Sequence, residues 1–547
     1  MKLTLIKLSK IFHTLKYLRF EQFYFRALYK LKKPKVTYHT VESCNNWHWG
    51  GLSLMKQCIF ANNKVLFLNE EGVIAEKADW NNPLREKLWL YNLHYFDDLS
   101  SNTYKDREEL HYAFINKWIS ENPPCLGNGW EPYPLSLRLV NWVKWFSKKD
   151  NVEQKYLNSI AQQASALSQQ LEYHILGNHL FANAKALTFV GTYLQGQEAD
   201  YFLDLGLKLL DKELKEQFLV DGAHFELSPM YHEILLWDLL ELIDLANVSQ
   251  NSKLLVRLEN WSSLAEDALA WLVSMIHPDG EISFFNDAAI GIAAAPKDIF
   301  NYANKLGINY SSSEKTLISN STSGYSRVRY DNYTLIFDHA NVGPDYLPGH
   351  AHADSLSFEF SVGLQRVFVN SGTSLYGVSR ERLRQRETAA HNTVVVSGVS
   401  SSEVWSGFRV ARRAYTKLLK SDCDFSGVTL SACHDGYERL KPKVTHTRTI
   451  NASETICIVT DELSHKTPAE FNLHIHPNVE VIQEDKKIIK LQLTNGEILF
   501  FTSSHDVVLE ESTWHPEFGK TIANKKILIP FVDGHLITKI EFRKEIH

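Results

Sequence analysis

Two histidines separated by one residue, His350 and His352, stand directly before a strongly alternating apolar run and are the first candidates for chemistry. In an extended chain, side chains two positions apart point the same way, so both imidazoles can serve one small site. Residues 355–372 predict two strands joined by a turn at Gly363 and Leu364, which places the histidines at the rim of a sheet. A purely structural role explains such a pair equally well.

Asn178 and His179 follow Gly177 in the stretch YHILGNHLFANAKAL, which otherwise has the apolar spacing of a helix. Glycine is unfavourable inside a helix, so we expect it to interrupt the helix and to free the two polar side chains to face a cavity. A buried asparagine that caps a helix is an equal alternative.

Tyr231 and His232 occur in DGAHFELSPMYHEILLWDLLEL, where Pro229 has a position that the first turn of a helix tolerates. The spacing predicts both side chains in that first turn, from which a residue most easily enters a cleft, with Glu226 just upstream. An aromatic pair packed beneath the turn is an equal alternative.

For the Asn-Asp pair at 286 and 287, in HPDGEISFFNDAA, turn chemistry is the better interpretation.

The elements that would position these residues show two sequence patterns, one helical and one of strands. From about Glu86 to Ala303, apolar residues recur at helical spacing, which predicts a bundle, a solenoid or a closed toroid without distinguishing among them. From about Thr322 onward, alternating β-branched residues separated by Gly, Asn and Asp predict an antiparallel sandwich. Residues 36–80 predict short strands and turns, with a hairpin in KVLFLNEEGVIAE.

The composition is that of a globular protein with more than one core. A chain of 547 residues exceeds the size of a single core, so we expect two large domains and a small third. The net charge of -6 argues against a general nucleic-acid binder. Thirteen Trp and 23 Tyr are typical of sugar-binding clefts, although packed cores use the same side chains. The six cysteines lack metal or disulfide spacing and are expected to be reduced.

The first 35 residues carry ten Lys or Arg and a single acid, Glu21. Lysines interrupt the apolar spacing too often for the continuous centre of a secretory signal, so no export signal is evident. The segment predicts a basic amphipathic helix that packs against the next domain or lies on an anionic membrane surface. We therefore expect a cytoplasmic protein or one peripheral to the inner membrane, with the periplasm as the alternative.

Eight stretches in a fixed order give the sequence a resemblance to a known family. They are LWLYNLHYF, GWEPYPLSLRLVNW, GNHLFANAKAL, DGAHFELSPMYHE, PDGEISFFNDA, GHAHADSLSFEF, AHNTVVVSG and HDGYERLKPKVTHTR. From about residue 85 to 450 the chain resembles the heparinase II/III family of polysaccharide lyases, which includes alginate and heparin lyases. The resemblance implies a multidomain α+β protein with an α/α toroid, an incomplete barrel, followed by an antiparallel β-sandwich. We place these domains at 85–310 and 311–547, after a basic helix and a small strand-containing segment at 1–84.

The resemblance also implies that a cleft between the two domains cleaves a uronic-acid-containing polysaccharide by β-elimination. This reaction removes the proton α to a carboxylate and expels the oxygen on the adjacent carbon, so it needs a donor to the carboxylate, a base and an acid. Asn178 matches the family's donor, with His179 assisting, and Tyr231 and His350 match its catalytic tyrosine and histidine. Because a phenol has a reference pKa of about 10 and an imidazole of about 6.5, we assign His350 as the base and Tyr231 as the acid. The two residues can also exchange roles, or Tyr231 can serve as both.

A divalent cation, with zinc as the first candidate, is implied at His352 and His391, which match positions that bind one in several relatives. Asn370 replaces the expected acidic ligand, and an amide oxygen is a poorer zinc ligand than a carboxylate. Asp354 could compensate, although anchoring of the turn is its more plausible role. A cation here would brace the edge of the sandwich and leave His350 free for elimination.

Positive charge for an acidic polymer is expected from the run RERLRQRETAAHN. Alternation would place Arg380, Arg382, Arg384 and Arg386 on one side of an extended segment, where a solvated face is the ordinary alternative. We expect at least one arginine to pair with a substrate carboxylate or sulfate. The predicted substrate-binding residues are His179, Glu226, His232, Arg384, Arg386 and Tyr437.

Two other functions fit the same scaffold. A catalytically silent glycan-binding or assembly protein would bind sugar without forming product. A glycoside hydrolase would need two carboxylates flanking the bond, for which Glu226 and Asp287 are the candidates. The combination of Asn, Tyr and His favours elimination.

Overall fold

A computed structural model describes residues 2–36, 41, 43–311 and 314–542. The helices in this part are α1 Lys2–Leu15, α2 Phe20–Leu31, α3 Lys87–Tyr95, α4 Glu108–Glu121, α5 Pro132–Phe146, α6 Gln154–Ser168, α7 Gly177–Tyr193, α8 Gln197–Gln217, α9 Pro229–Ser249, α10 Ser252–Leu255, α11 Leu258–Met275, α12 Pro296–Lys305 and α13 Arg380–Arg386. Helices α3 to α12 form the α/α toroid, which confirms the helical domain predicted from the sequence.

The strands follow mainly after the toroid. They are β1 Lys64–Phe67, β2 Glu70–Val73, β3 Leu317–Asn320, β4 Tyr325–Arg329, β5 Tyr333–Asp338, β6 Phe358–Val362, β7 Gln365–Phe368, β8 Val394–Val396, β9 Val404–Trp405, β10 Arg409–Val410, β11 Thr416–Asp424, β12 Gly427–Tyr437, β13 Val444–Ala452, β14 Ile456–Leu463, β15 Ala469–His474, β16 Glu480–Gln483, β17 Ile488–Gln492, β18 Ile498–Ser503, β19 Val508–Trp514, β20 Ile522–Phe531 and β21 His535–Phe542. The pairing of β1 with β2 confirms the predicted hairpin.

The toroid encloses a core dominated by aromatic side chains. Trp80, Trp89, Trp118, Trp142 and Trp145 are each at most 2% exposed. Helix α7 is buried on almost every side, and its small residues let it approach α8 closely. A Cβ atom added at Gly191 would lie 2.4 Å from the backbone nitrogen of Leu203. The helix that carries Asn178 is therefore fixed by close packing rather than by its own propensity.

The sandwich consists of antiparallel sheets with the orders β3-β4-β5-β6-β7, β19-β20-β15-β8 and β11-β12-β13-β14-β21-β18-β17-β16. Their inner faces share one apolar core, in which Phe337, Leu430 and Leu473 are fully buried. Strands β6 and β7 are joined at Gly363, whose φ of 51° allows the two-residue turn that the sequence predicted. This hairpin follows directly after the two histidines.

The N-terminal helices bridge the two domains. Helix α1 contacts the sandwich, where Trp405 donates its indole N–H to the hydroxyl of Thr14 at 3.0 Å. Helix α2 contacts the toroid, where the ring of Phe25 stacks on Tyr173 with centroids 4.6 Å apart. No described helix has the length and apolarity that a bilayer span requires.

Candidate active site

Asn178 lies in the first turn of α7, at the edge of the cleft between the domains. Leu176 and Gly177 have φ values of 70° and 57°, so the chain reverses here and α7 begins at Gly177. The sequence predicted that Gly177 interrupts a helix. In the structure the glycine begins one. The side chain of Asn178, 6% exposed, lies within hydrogen-bonding reach of the Tyr133 hydroxyl.

His179, the next residue, is held by an acid and an aromatic ring. Its Nδ1 atom lies 2.9 Å from Glu172 Oε1, and its ring packs on Tyr133 with centroids 4.3 Å apart. Burial opposes protonation, but Glu172 outweighs it and raises the pKa of His179 above its ordinary value. His179 is thus a partly exposed imidazole whose cationic form Glu172 stabilises.

Tyr231 is placed by the start of α9. The Ser228 hydroxyl accepts the backbone N–H of Tyr231 at 3.2 Å and donates to the Asp287 carbonyl at 2.5 Å, so the predicted helix start is also tied to the next loop. The Tyr231 ring lies against His350 with centroids 4.0 Å apart, and its hydroxyl is 3.0 Å from that of Tyr376. Burial, and after it Tyr376, raises the pKa of Tyr231 well above that of a free phenol.

A single carboxylate, that of Asp287, holds both histidines of the H-x-H sequence. Its Oδ2 atom is 2.9 Å from His350 Nδ1, and its Oδ1 atom is 2.8 Å from His352 Nε2. Arg382 donates to both oxygens, at 2.6 Å to Oδ2. Burial opposes ionisation of Asp287, but Arg382 and the histidines hold its pKa well below the ordinary value. The arrangement directs His350 Nε2 away from Asp287, toward the cleft.

Glu226 lies between the Asn178 and His350 halves of the site. Its Oε2 atom is 3.8 Å from His350 Nε2, and the Asn178 backbone N–H faces it. Glu226 is 2% exposed and neither carboxyl oxygen makes a well-formed hydrogen bond. Burial raises its pKa, despite the opposing effect of His350 and His179. Glu226 thus links the Asn178 backbone to His350, which in turn packs against Tyr231.

Two predicted substrate-binding residues lie elsewhere. His232 is fully buried, accepts the His224 backbone N–H at Nδ1 and lies 2.9 Å from the Ala268 carbonyl through Nε2. Tyr437 is also fully buried and donates its hydroxyl to the Val394 carbonyl at 2.6 Å. Both predictions are wrong because these polar atoms satisfy internal hydrogen bonds.

The arginine run is helical instead of extended, so the prediction of one shared face is also wrong. Ser379 caps helix α13 by accepting the Arg382 backbone N–H at 3.0 Å. Arg386 is fully buried and donates to the carbonyl oxygens of Ala351 and Gly407, which excludes it from substrate contact. Arg384 remains partly exposed and pairs with Glu381 at 2.6 Å.

Three contributors were not predicted from sequence as parts of this site. Asp287 was interpreted as a turn residue or as a carboxylate of a hydrolase, Arg382 as one of four arginines on a shared face, and Tyr376 was not singled out. Tyr376 lies 3.5 Å from His350 Nδ1 through its hydroxyl. The sequence around Asp287, Tyr376 and Arg382 does not indicate their roles. Each of the three acts through a partner at least 26 positions away in the chain.

A second cluster, behind the first, consists of His352, Asp354 and His391. One ligand atom from each lies within 4.8 Å of the others, and all three residues are buried. His352 Nδ1 and both ring nitrogens of His391 lack well-formed hydrogen bonds. Asn370, at the position of the expected acidic ligand, accepts the Asn392 backbone N–H through its Oδ1 at 3.1 Å. Asp354 supplies the carboxylate instead, although it also accepts the Asn286 backbone N–H at 3.0 Å.

The toroid, the sandwich and the site between them define a two-domain α+β protein. Residues 15–313 match the family model described as heparinase II/III N-terminus, and residues 314–543 match that described as heparinase II/III-like, C-terminal. The chain therefore belongs to the heparinase II/III family, which confirms the resemblance seen in its motifs.

Similar proteins cover unequal parts of this chain. It is 28% identical over 191 residues to a heparin-sulfate lyase of Pedobacter heparinus, covering 32% of this chain and 28% of the relative. A heparin-sulfate lyase of Bacteroides thetaiotaomicron is 30% identical over 147 residues, which cover 25% of this chain and 21% of the relative. The matches thus span less than a third of either relative. The crystal structure of heparinase III has a TM-score of 0.70 at 18% identity, covering 86% of this chain and 79% of its own, and shares the fold.

Proposed function

We propose that this protein is a polysaccharide lyase that cleaves a uronic-acid-containing acidic glycan by β-elimination. The observation that carries the proposal is the contact between Tyr231 of the toroid and His350 of the sandwich, whose rings are 4.0 Å apart beside Asn178 and Glu226. Two curated relatives are named heparin-sulfate lyases, so heparan sulfate is the first substrate to test.

In the proposed reaction His350 is the base. Its Nδ1–H donates to Asp287, which leaves the lone pair of Nε2 to accept the proton α to the uronate carboxylate. The electron pair of that C–H bond forms the new double bond as the adjacent C–O bond breaks. Tyr231 protonates the departing oxygen; its ring contact with His350 places its hydroxyl beside the base.

Charge that develops on the uronate carboxylate needs neutral or positive partners. Asn178 offers an amide N–H, and His179 offers a ring N–H whose cationic form is favoured because Glu172 raises its pKa. Glu226 would repel the substrate if ionised. Burial raises its pKa, which favours the neutral carboxylic acid and so reduces this repulsion.

The same reasoning disfavours hydrolysis. Of the two carboxylates that a hydrolase would need, Asp287 is fully buried and both of its oxygens are engaged by Arg382 and the two histidines. It therefore cannot activate water or attack a sugar.

The test is incubation with a panel of uronate polymers, following the ultraviolet absorbance of the new double bond together with reducing ends. Elimination gives both signals, and reducing ends alone would indicate hydrolysis. The absence of both signals would contradict the proposal. His350→Ala and Tyr231→Phe should each lower turnover at least about 10²-fold while the thermal unfolding temperature stays near that of the wild type. Wild-type turnover in either variant would refute its assigned role.

We also propose that His352, Asp354 and His391 hold a divalent cation, zinc first. Two imidazoles and one carboxylate suit zinc, and the unpartnered ring nitrogens are those that would coordinate it. The cation would brace the sandwich edge beside Asp287 and supply no step of the elimination. Equilibrium dialysis followed by elemental analysis should find about one zinc per chain, lost in His391→Ala. Failure of the wild type to retain zinc would contradict this site.

We further propose that the protein docks on an anionic membrane from the cytoplasmic side, through the outer faces of α1 and α2. These faces expose Leu8, Phe12, Leu15, Phe20, Phe23, Tyr24 and Leu31, and Phe20 and Leu31 are 80% and 82% exposed. On each helix these side chains lie on the face opposite the residues that contact the rest of the protein. Such aromatic and aliphatic stripes among basic residues suit the interface of an anionic bilayer.

Vesicle flotation tests the docking. Vesicles containing anionic phosphatidylglycerol should bind the protein, more weakly at high salt, whereas Phe12→Ser combined with Phe20→Ser and Leu31→Ser should weaken binding at least about tenfold. The matched control is Phe425→Ser, a fully exposed aromatic residue on the sandwich. Unchanged flotation of the triple variant, or self-association through the same face in sedimentation, would contradict membrane docking.

A further inference from the structure

A cavity of about 230 Å³ lies between α1 and the sandwich, apart from the candidate active site. Five of its lining residues are basic, namely His13, Lys16, Arg412, Arg413 and Arg439, and one, Asp435, is acidic. The predicted motifs did not include this cavity, because its residues are brought together from positions about 400 apart in the chain.

Two of the arginines in this cavity have unused capacity to bind an anion. Arg439 donates to the carbonyl oxygens of Ser400, Ser401 and Gly436, and no described acid pairs with it. Arg413 is 7% exposed; it pairs with Asp345 through Nη1 at 2.6 Å, but its Nε has no hydrogen-bond partner.

The remaining groups bring charges of both signs to the cavity. His13 Nδ1 is buried and unpartnered, and burial, followed by Arg412 and Lys16, lowers the pKa of this histidine. Arg412 is paired with Glu403 at 2.9 Å. The carboxylate of Asp435 accepts the Tyr415 backbone N–H at 2.7 Å. Lys16 and the three arginines therefore outnumber the adjacent carboxylates of Asp345, Glu403 and Asp435 by one.

The loop of residues 343–350 connects the cavity to the active-site cleft, because it carries Asp345, the ion-pair partner of the cavity residue Arg413, as well as His350. On the cleft side, Leu347 packs against Gly177, and the loop ends at His350. On the cavity side, Asp345 pairs with Arg413. A glycan chain that leaves the cleft across this loop consequently arrives at the basic cavity.

We propose that this cavity binds a carboxylate or sulfate group of an acidic glycan whose reacting sugar occupies the cleft. Guanidinium groups bind such oxyanions through paired N–H donors, and Arg413 and Arg439 supply them here. The inference rests on the proposed function of the cleft. It makes α1 part of the substrate site, at a distance from the bond that is cleaved.

The test compares long and short acidic oligosaccharides by calorimetry, in a His350→Ala background so that no substrate is consumed. Arg413→Gln, Arg439→Gln and Lys16→Gln should each weaken binding of the long oligosaccharide about tenfold and leave a trisaccharide unaffected. Lys16 is exposed on α1, so Lys16→Gln should fold normally. It therefore tests the cavity even if Arg439→Gln, which loses hydrogen bonds to the backbone, fails to fold. Arg409→Gln, an exposed arginine of the neighbouring strand, is the matched control.

Three results would overturn the assignment. Equal losses for long and short oligosaccharides would place the effect in the cleft. Variants that weaken binding of inorganic sulfate but not of the long glycan would define a site for a free oxyanion only. Wild-type affinity in Lys16→Gln and Arg413→Gln would exclude the cavity altogether. Failure of the proposed function itself is distinguishable, because the wild type would then form no unsaturated product from the long oligosaccharide, whether or not the cavity variants weaken its binding.

Discussion

Arg382 and Asp287 form a two-point ion pair in which neither side chain is exposed. The pair joins the domains, because Asp287 follows the last long helix of the toroid and Arg382 lies in α13 of the sandwich region. It also orders the chemistry, since the same carboxylate orients His350 on the cleft side and His352 on the side of the second cluster. Removal of this one charge should therefore disturb catalysis and packing together.

Asp287→Asn should lower kcat/KM about 10²-fold to 10⁴-fold, because an amide cannot hold His350 in one tautomer while it compensates Arg382. The unpaired guanidinium should also cost about 3–5 kcal/mol of the free energy of unfolding. Steady-state kinetics and denaturant unfolding measure the two effects. Asp279→Asn, which breaks a pair with Arg366 outside the cleft, is the control and should spare activity. A folded Asp287→Asn enzyme with normal turnover would contradict the positioning role.

Gly177→Ala should be more harmful than an ordinary glycine substitution at positive φ. The added Cβ would lie 2.5 Å from Leu347 Cδ2 and 2.9 Å from Glu226 Oε1. Gly280 supplies the matched control, because its φ is 88° but nothing lies within 4 Å of the added atom. Both variants should lose about 1 kcal/mol from backbone strain. Gly177→Ala should lose about 1–3 kcal/mol more by overpacking, and turnover as well. Equal unfolding free energies would show that the cleft tolerates the extra atom.

The features predicted correctly from sequence are those that local chemistry decides. Pro229 begins α9 and Gly363 makes the hairpin turn because each backbone preference acts on its own residue. Asn178, Tyr231 and His350 were identified through motifs in a fixed order, and the structure brings them to one place. The spacing alone could not have shown this convergence.

The arginine run shows where such reasoning fails. Positions 380 to 386 alternate as a strand would, but Ser379 caps a helix there, and the helix sends Arg382 inward and leaves Arg384 partly exposed. What buries Arg382 is Asp287, 95 positions earlier. A charged side chain carries no sequence signal of its distant partner, so its burial could not be predicted.

Glu172→Gln should shift the pH dependence of substrate binding to lower pH. Glu172 raises the pKa of His179 against the effect of burial, so the wild-type imidazolium persists above the ordinary value of 6.5. Without that carboxylate the pKa falls, and the positive donor to the uronate is lost at a lower pH. The profile of KM against pH should therefore rise earlier in the variant while kcat changes less. Glu153→Gln, at an exposed ion pair with Lys155, should leave the profile in place. Superimposable profiles for Glu172→Gln and the wild type would exclude His179 as the pH-dependent donor.

Glu241 should contribute an acid-sensitive part of the stability of the toroid. Its carboxylate receives Lys144 at 2.6 Å and also Lys185, and it is 2% exposed. Burial opposes ionisation, but the two lysines outweigh it and lower the pKa from 4.5 to about 2. A lowered pKa means that the stabilisation is complete above pH 4.5 and is lost as the pH falls toward about 2.

Glu241→Gln should remove this dependence. Near pH 7 the variant should be less stable by about 3–5 kcal/mol, since Lys144 and Lys185 lose a buried counter-charge. Between pH 4.5 and about 2 the wild type should lose stability more steeply, by up to about 1.4 kcal/mol per pH unit for the one proton. Urea unfolding across this range measures both curves. Asp461, whose pKa is likewise lowered to about 2, titrates in both proteins, so its contribution cancels in the difference. Parallel curves would mean that the lysines do not hold Glu241 ionised, and that the centre of the toroid is stabilised by packing alone.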